Sequence, residues 1–315
     1  VFSRFTLERN LGGSAVGVVW LCGDAEFGRK VAVKLYPKVA FCDEAGLRQL
    51  RRMVDTVRKV RHPGIAGLYD LVENDEWIAI VNEYIDGTSL AAELQLASPE
   101  GLDLDTLGEV FPQVAAAMEA VHGEHRIVHG KLSPGNILHL PDGRVKITDL
   151  GVARVLSDCV QRATRLDGAM GELGYLSPQQ LDGEVPQAGD DIYALGSTLY
   201  ECITGKPPFY SGDIIWQIRN EVPAMLADRR REFGLSEMAI PRVWEEVVAR
   251  CLDKRSEGRP ASMADVFQGK ALKTSPGAQA NASRKRGAVA GGQTPHSRRQ
   301  PAVATPRESG AGRQA

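Results

Sequence analysis

Four stretches of this chain hold residue types that could do chemistry. The first is a glycine-rich run, Leu11-Gly12-Gly13-Ser14-Ala15-Val16-Gly17-Val18-Val19. Glycine has no Cβ to obstruct, so the backbone N–H groups of such a turn can come close to phosphate oxygens. The second is Val31-Ala32-Val33-Lys34, an apolar run that ends on an ammonium. The third is His129-Gly130-Lys131-Leu132-Ser133-Pro134-Gly135-Asn136-Ile137-Leu138, and the fourth is Asp149-Leu150-Gly151. Together the last two offer a carboxylate, an amide and a second ammonium. Lys131 has three donors and no acceptor, so it cannot take a proton from a hydroxyl as a carboxylate could.

The elements that must position these groups divide the chain in two. Up to about residue 86 the pattern is of short β-rich runs at Phe5–Leu11, Gly17–Cys22, Val31–Tyr36, Gly67–Val72 and Trp77–Asn82, separated by Gly, Asp and Asn turns. One helix interrupts them, Glu44–Val60, with Leu47, Leu50, Val54, Val57 and Val60 at helical spacing, and His62-Pro63-Gly64 stops it. After Asp86-Gly87 helices dominate: Leu104–His122, Asp191–Thr204 and Arg242–Leu252. A hairpin is expected between Ile137–Leu140 and Val145–Thr148, around Pro141-Asp142-Gly143. There are no internal repeats.

With His62-Pro63-Gly64-Ile65, the stretch Gly171 to Gln179, Asp191-Ile192-Tyr193-Ala194-Leu195-Gly196 and Arg259-Pro260, eight motifs stand in order. Any one of them is weak evidence, but the series resembles the protein kinase family, closest to bacterial Ser/Thr kinases, from about Phe5 to Phe267. The resemblance implies an α+β, bilobal fold with a β-rich N-lobe (1–86) and a mainly helical C-lobe (87–269). It implies binding of ATP with Mg²⁺. Leu11, Gly12, Ser14, Gly17, Val19, Ala32, Leu138 and Ser89 would line the nucleotide, with the backbone of Glu83 and Tyr84 at the adenine edge. Lys34 would reach the α- and β-phosphates. Asn136 and Asp149 would hold the metal, as oxygen donors suited to Mg²⁺, with phosphates and water completing its shell.

The substrate side departs from the family pattern. Lys131 stands where the catalytic aspartate belongs, Ser133 replaces the lysine that contacts the transferring phosphoryl group, and Glu172 replaces the threonine that bonds both. Reciprocal charges suggest a Lys131–Glu172 salt bridge across the former active site. The helix glutamate that pairs with the strand lysine falls at Met53, and no glutamate occurs between Glu44 and Glu73, so Lys34 is expected to lack its ion pair. Gly130 replaces an arginine that grips activation-loop phosphates, where Ser157 and Thr164 are the hydroxyls available. Gln179 replaces the glutamate expected to pair with Arg259, leaving a hydrogen bond for an ion pair. Asp191 is kept and should tie down the catalytic-loop backbone. Val57, Leu68, His129 and Leu150 map to the stack that links the lobes, which makes His129 a core histidine. Asn82 guards the back of the adenine pocket, where an apolar residue is usual.

These features predict a nucleotide-binding pseudokinase that works through a protein partner. The alternative is an active Ser/Thr kinase whose substrate hydroxyl is oriented by a replacement acid such as Glu172 or Asp167. Another transfer from ATP, such as nucleotidyl transfer, has precedents in the fold but no specific support in these residues.

A chain of 315 residues is long enough for two lobes with real cores. From Lys270 onward nine Lys/Arg face a single acid, Glu308, so an acidic body precedes a basic tail (270–315) rich in Ala, Gly, Ser, Pro and Arg. Such a tail buries too little apolar surface to offset its ordering entropy, and disorder is expected there. Its basic charge suits nucleic acid or anionic lipid, but a solvated linker is the reading preferred, and no specific nucleic acid partner is expected. The five cysteines (Cys22, Cys42, Cys159, Cys202, Cys251) lack metal or framework spacing and fit reduced thiols in the cytoplasm. No run is apolar enough to span a bilayer. A chain that opens on Val1 is expected to be part of a longer one.

Overall fold

The computed structural model describes residues 2–14, 17–40, 44–151, 173–270 and 272. These belong to one compact unit, Val1–Thr274.

A five-stranded antiparallel sheet is built from β1 (Phe5–Ser14), β2 (Gly17–Asp24), β3 (Arg29–Pro37), β4 (Leu68–Glu73) and β5 (Trp77–Glu83), in the order β1-β2-β3-β5-β4. Strand pleating sorts its side chains by face. On β3, Val31, Val33 and Leu35 point one way and pack with Phe5, Cys22, Ala79 and Val81 in a small outer core. Ala32, Lys34 and Tyr36 point the other way. Register extends that inner face sideways: Val19 lies opposite Lys34 on β2, while Asn82, Ile80 and Ile78 lie opposite Ala32, Lys34 and Tyr36 on β5.

Helix α1 (Glu44–Val57) covers the inner face through Leu47, Leu50, Val54 and Val57. Burying such side chains contributes about 1.5–3 kcal/mol each. The expected helix to Val60 stops at Val57, and the chain leaves in single turns, with Val60 N–H donating to Val57 O. A polar tie holds α1 to the sheet as well: Arg51 meets Glu73 of β4 at 2.6 Å, and Lys38, just after β3, reaches the same carboxylate at 3.3 Å.

Beyond Glu83 the chain enters the helical lobe. It contains α2 (Leu90–Ala97), α3 (Leu104–Ala120), α4 (Pro178–Leu181), α5 (Ala188–Thr204), α6 (Ile214–Asn220), α7 (Leu226–Glu232), α8 (Arg242–Cys251) and α9 (Met263–Phe267). Helix α5 is its axis, buried from Asp190 through Tyr200 and again at Cys202–Thr204. A helix apolar all round must be surrounded, and α3, α7 and α8 pack against it. A three-stranded sheet of β6 (Thr88–Ser89), β7 (Ile137–His139) and β8 (Val145–Ile147) lies on this lobe. Its hairpin turns where expected, with Gly143 at φ 84° and its N–H donating to Leu140 O. Ile65 bridges to Ile147, stitching the segment after α1 to β8.

The bilobal α+β architecture is therefore present. Val57, Leu68, His129 and Leu150 are all buried, as the stack linking the lobes requires. Cys22, Cys202 and Cys251 are free and buried, while Cys42 and Cys159 lie outside the described residues. The tail from residue 273 also lies outside them. Among the described residues no helix is long and apolar enough to cross a membrane.

Candidate active site

The cleft between the lobes gathers the strand lysine and the two residues read as metal ligands. Lys34 Nζ donates to Asp149 Oδ2 at 2.7 Å, and both side chains are largely buried, at 15% and 18% exposure. Burial alone would lower the pKa of the Lys34 ammonium, but Asp149 and Tyr36 more than offset that and hold it above the ordinary lysine range. The expectation that Lys34 lacks an ion pair is thus corrected. It has one, supplied by Asp149 in place of a helix glutamate. Met53 does occupy the helix position beside the site: a Cβ placed on Gly151 would meet its sulfur at 2.8 Å.

Asp149 takes φ 60°, a left-handed conformation uncommon for a residue with a side chain. Strain of this kind, about 1–3 kcal/mol, persists where the surroundings fix it, and it gathers at functional sites. Asn136 Nδ2 donates to Lys131 O at 2.8 Å, and Asn136 N–H donates to Ser133 O at 3.0 Å. With its nitrogen committed, the amide presents Oδ1 as its remaining acceptor. A carboxylate and an amide oxygen fit Mg²⁺. Among the described residues no three His, Cys, Asp or Glu side chains gather to hold a metal. A divalent ion here would therefore draw the rest of its shell from phosphate and water.

The catalytic-loop backbone is pinned from below. Asp191 of α5, fully buried, accepts from His129 N–H and Gly130 N–H at 2.8 Å each, and its Oδ2 lies 2.8 Å from His122 Nε2. This is the tie expected of it. His129 is fully buried too, with Nε2 2.9 Å from Thr148 O and Nδ1 accepting from Lys131 N–H at 3.3 Å. Those contacts select the neutral tautomer protonated at Nε2. Burial, partly countered by Asp191, lowers its pKa below the ordinary value. It is a core histidine, as read.

Lys131 is half-buried at the end of this pinned segment, and Ser133 precedes the single turn 134–136. Glu172 lies outside the described residues, and so does its proposed bridge to Lys131; Ser157, Thr164 and Asp167 lie outside them as well.

Around the rest of the cleft, Gly12 at φ 131° and Gly17 bound the glycine-rich turn. Ser14, opposite Gly17, closes β1. Leu11 is exposed on β1; Val19 and Ala32 lie on the inner face of β2 and β3. Leu138 pairs with Ser89, whose hydroxyl caps α2 by accepting from Ala92 N–H at 3.2 Å. Glu83 is drawn below the hinge, where its carboxylate meets Lys146 Nζ at 2.7 Å and accepts from Gly67 N–H at 2.9 Å. Tyr84 Oη donates to Asp86 at 3.3 Å and accepts from Arg9 at 3.2 Å. Asn82 makes a long 3.4 Å bond to Ile80 O on its own strand, and nothing in the structure explains why an amide stands there.

Two residues that sequence reasoning missed stand out. Tyr36, two positions beyond Lys34, faces the same ammonium, and strand alternation could have found it. Asp190 lies 3.6 Å from Arg259, so the buried guanidinium keeps a carboxylate neighbour besides its 2.6 Å bond to Gln179 Oε1. The hydrogen bond expected in place of an ion pair at 179 is present, and Asp190 adds a carboxylate beside it.

The protein kinase domain model matches residues 5–270, and the chain belongs to the protein kinase family. The serine/threonine-protein kinase PrkC of Bacillus subtilis (strain 168) is 33% identical over 209 residues, covering 66% of this chain and 32% of that protein. The probable serine/threonine-protein kinase PknB of Bifidobacterium longum (strain NCC 2705) is 30% identical over 271 residues, covering 83% and 38%. PknB of Mycobacterium tuberculosis (strain ATCC 25618 / H37Rv) is 30% identical over 273 residues, covering 84% and 42%. The chain therefore spans about a third to two fifths of the length of these curated relatives.

Proposed function

We propose that this domain binds Mg-ATP and has lost efficient phosphoryl transfer, acting as a pseudokinase whose output is the binding of a protein partner. The observation that carries the reading is Lys131 at the end of a correctly pinned loop. Asp191 fixes the N–H groups of residues 129 and 130, and Asn136 fixes the carbonyl of 131. An intact scaffold thus delivers an ammonium to the place where a substrate hydroxyl needs an acceptor. A missing general base costs roughly 10²–10⁴-fold, against ordinary kinase turnovers of about 1–100 per second.

On this reading Lys34 contacts phosphate oxygens, Asn136 and Asp149 hold the metal, and the inner-face residues Val19 and Ala32 with Leu138 enclose the base. If bound, ATP would bring the negative phosphate charge, which Mg²⁺ held by Asn136 and Asp149 and the Lys34 ammonium would neutralise. The protein's contribution is to orient the nucleotide and hold the lobes in one arrangement that a partner can recognise.

A second reading is an active Ser/Thr protein kinase with an altered acceptor. The close Lys34–Asp149 pair favours it, since a purely structural domain has no need of two buried charges at that place.

Thermal shift of the chain with ATP, with and without Mg²⁺, tests the first half. A ligand at 100 times its Kd stabilises by about 2.7 kcal/mol. A Mg²⁺-dependent shift is expected; none at saturating nucleotide removes the proposal. Transfer of labelled γ-phosphate to a generic protein acceptor separates the two readings, because only the second predicts turnover by the wild-type chain.

A further inference from the structure

Helix α1 borders the cleft through Met53 and buries Leu47, Leu50, Val54 and Val57 against the sheet. Its other side is charged. Residues 48–61 hold six Arg and Lys against one acid, Asp55. Residues 1–269 as a whole hold 29 Arg and Lys against 39 Asp and Glu, so this run is a positive strip on an acidic body.

The basic side chains split into two rows. The inner row faces β4, where Arg51 meets Glu73 at 2.6 Å and Arg58 lies 3.8 Å from Asp70. The outer row, Arg48, Arg52 and Lys59, is exposed and has no carboxylate partner among the described residues; the same holds for Arg61. Arg48 and Arg52, four residues apart, are neighbours on the helix surface. From Arg48 to Lys59 the row runs about 16 Å, at about 1.5 Å per residue. Backbone carbonyls steady two of these guanidinium groups: Arg52 Nε donates to Arg48 O at 3.3 Å, and Arg61 Nη1 donates to Arg58 O at 2.6 Å. Their remaining N–H groups are left for an outside acceptor. The helix dipole favours cations at the C-terminal end, which accounts for Lys59 and Arg61. It gives nothing to Arg48 and Arg52, which lie in mid-helix.

We propose that the outer face of α1 is a docking surface for an acidic segment of a partner protein, anchored by Arg48, Arg52 and Lys59. Guanidinium groups suit carboxylates because their N–H donors can pair with both oxygens at once. Other polyanions fit less well. A helix that lies on a membrane presents large apolar side chains to it, and those of α1 are buried. Single-stranded nucleic acid stacks its bases on aromatic platforms, and no Phe, Tyr or Trp occurs between residues 44 and 67. A long polyanion would also run past the strip onto acidic surface, whereas about five extended residues, at about 3.3 Å each, span it. A segment bound there holds the helix whose inner side borders the cleft.

The inference rests on the reading of this domain as one that binds a protein partner, and the test keeps the two apart. Binding of a fluorescein-labelled heptaglutamate peptide to the full chain is followed by anisotropy at about 50 mM salt, where screening is weak, with heptaglutamine as control. Arg48→Ala, Arg52→Ala and Lys59→Ala together are expected to weaken heptaglutamate binding about tenfold with little change in melting temperature, since alanine suits an exposed helix position. Asp55→Asn, which removes the acid from the strip, should tighten binding about twofold. Arg284→Ala, Lys285→Ala and Arg286→Ala, in the basic tail, should leave it within about twofold of wild type.

A wild-type chain that ignores heptaglutamate, or binds heptaglutamine equally, overturns the proposal. So does an α1 triple variant within about twofold of wild type, or a tenfold loss in the tail variant instead. Tighter binding of a single-stranded oligonucleotide, or of vesicles with about 30% phosphatidylserine, through the same three residues overturns the choice of partner. Should the α1 triple variant not fold, Asp55→Asn decides alone: tightening supports the surface and no change overturns it. Transfer of γ-phosphate by the wild-type chain would remove the pseudokinase reading and leave the docking surface standing.

Discussion

The two sides of the cleft differ in which parts of the family pattern they keep. On the sheet side the charged chemistry is present and its usual support is gone: Lys34 meets Asp149, but the helix position beside them is Met53. On the loop side the support is present and the side chain departs from the family pattern: Asp191 and Asn136 hold the backbone, and the residue at its end is Lys131. The difference teaches that scaffold and chemistry are separable at this site. Asp191 bonds backbone N–H groups, so its work does not depend on the residue at 131. A loop held through its backbone keeps its shape through any side-chain change that still fits.

The largest test of this contrast is Lys131→Asp. If the loop is intact, restoring an acceptor should raise phosphoryl transfer by roughly 10²–10⁴-fold over the wild-type chain. No gain in a variant that still binds ATP would place the deficit in Ser133 or in the support of Lys34, and would break the contrast. Next is Asp191→Ala, which strips the acceptor from two buried N–H groups. It should cost about 3–5 kcal/mol in urea unfolding. Asp191→Asn, which keeps one oxygen, should cost less. A cost under about 1 kcal/mol would mean that the loop is not held from α5.

Acid should act on the loop side through His129. His129 is buried with its pKa below the ordinary 6.5. Below pH 6.5 the unfolded chain therefore takes up the proton more readily than the folded one. Stability is whole above that value and falls as pH drops through the window beneath it, by at most about 1.4 kcal/mol per pH unit from this group. A proton added at Nδ1 would also oppose Lys131 N–H, which donates there. His129→Leu should flatten the profile below pH 6.5, where this group's proton uptake is opposed in the folded chain, and an unchanged profile would assign the acid sensitivity elsewhere.

The smallest effect is expected at Gln179→Glu. The carboxylate would strengthen the bond to Arg259, but Gln179 Nε2 also donates to Lys254 O at 2.9 Å, and a glutamate has no donor to replace it. With Asp190 already 3.6 Å from the guanidinium, a net change under about 1 kcal/mol in thermal unfolding is expected.

All five strands of the large sheet, the hairpin about Gly143 and the three long C-lobe helices were legible because each has a period or a turn residue that local physics reads. The short helices α6 and α7, seven residues each, were not. Two turns carry too few apolar repeats to show a period, and they are helical because the lobe packs them. The motif residues were legible too, with their order along the chain. Their partners were less so: the pairing of Lys34 with Asp149 spans 115 residues.

What the sequence by itself determined is which groups are available: an ammonium at 34, an amide at 136, a carboxylate at 149, and an ammonium at 131 where an acceptor would serve. What only the tertiary structure decided is which of them meet. Composition fixes donors and acceptors, but a hydrogen bond needs about 3 Å, and only chain closure sets that distance. Folding turned Lys34 toward Asp149 and Tyr36, and set Asp190 beside Arg259. It also placed Asp191 under the loop, where two buried N–H groups need an acceptor that local sequence could not supply.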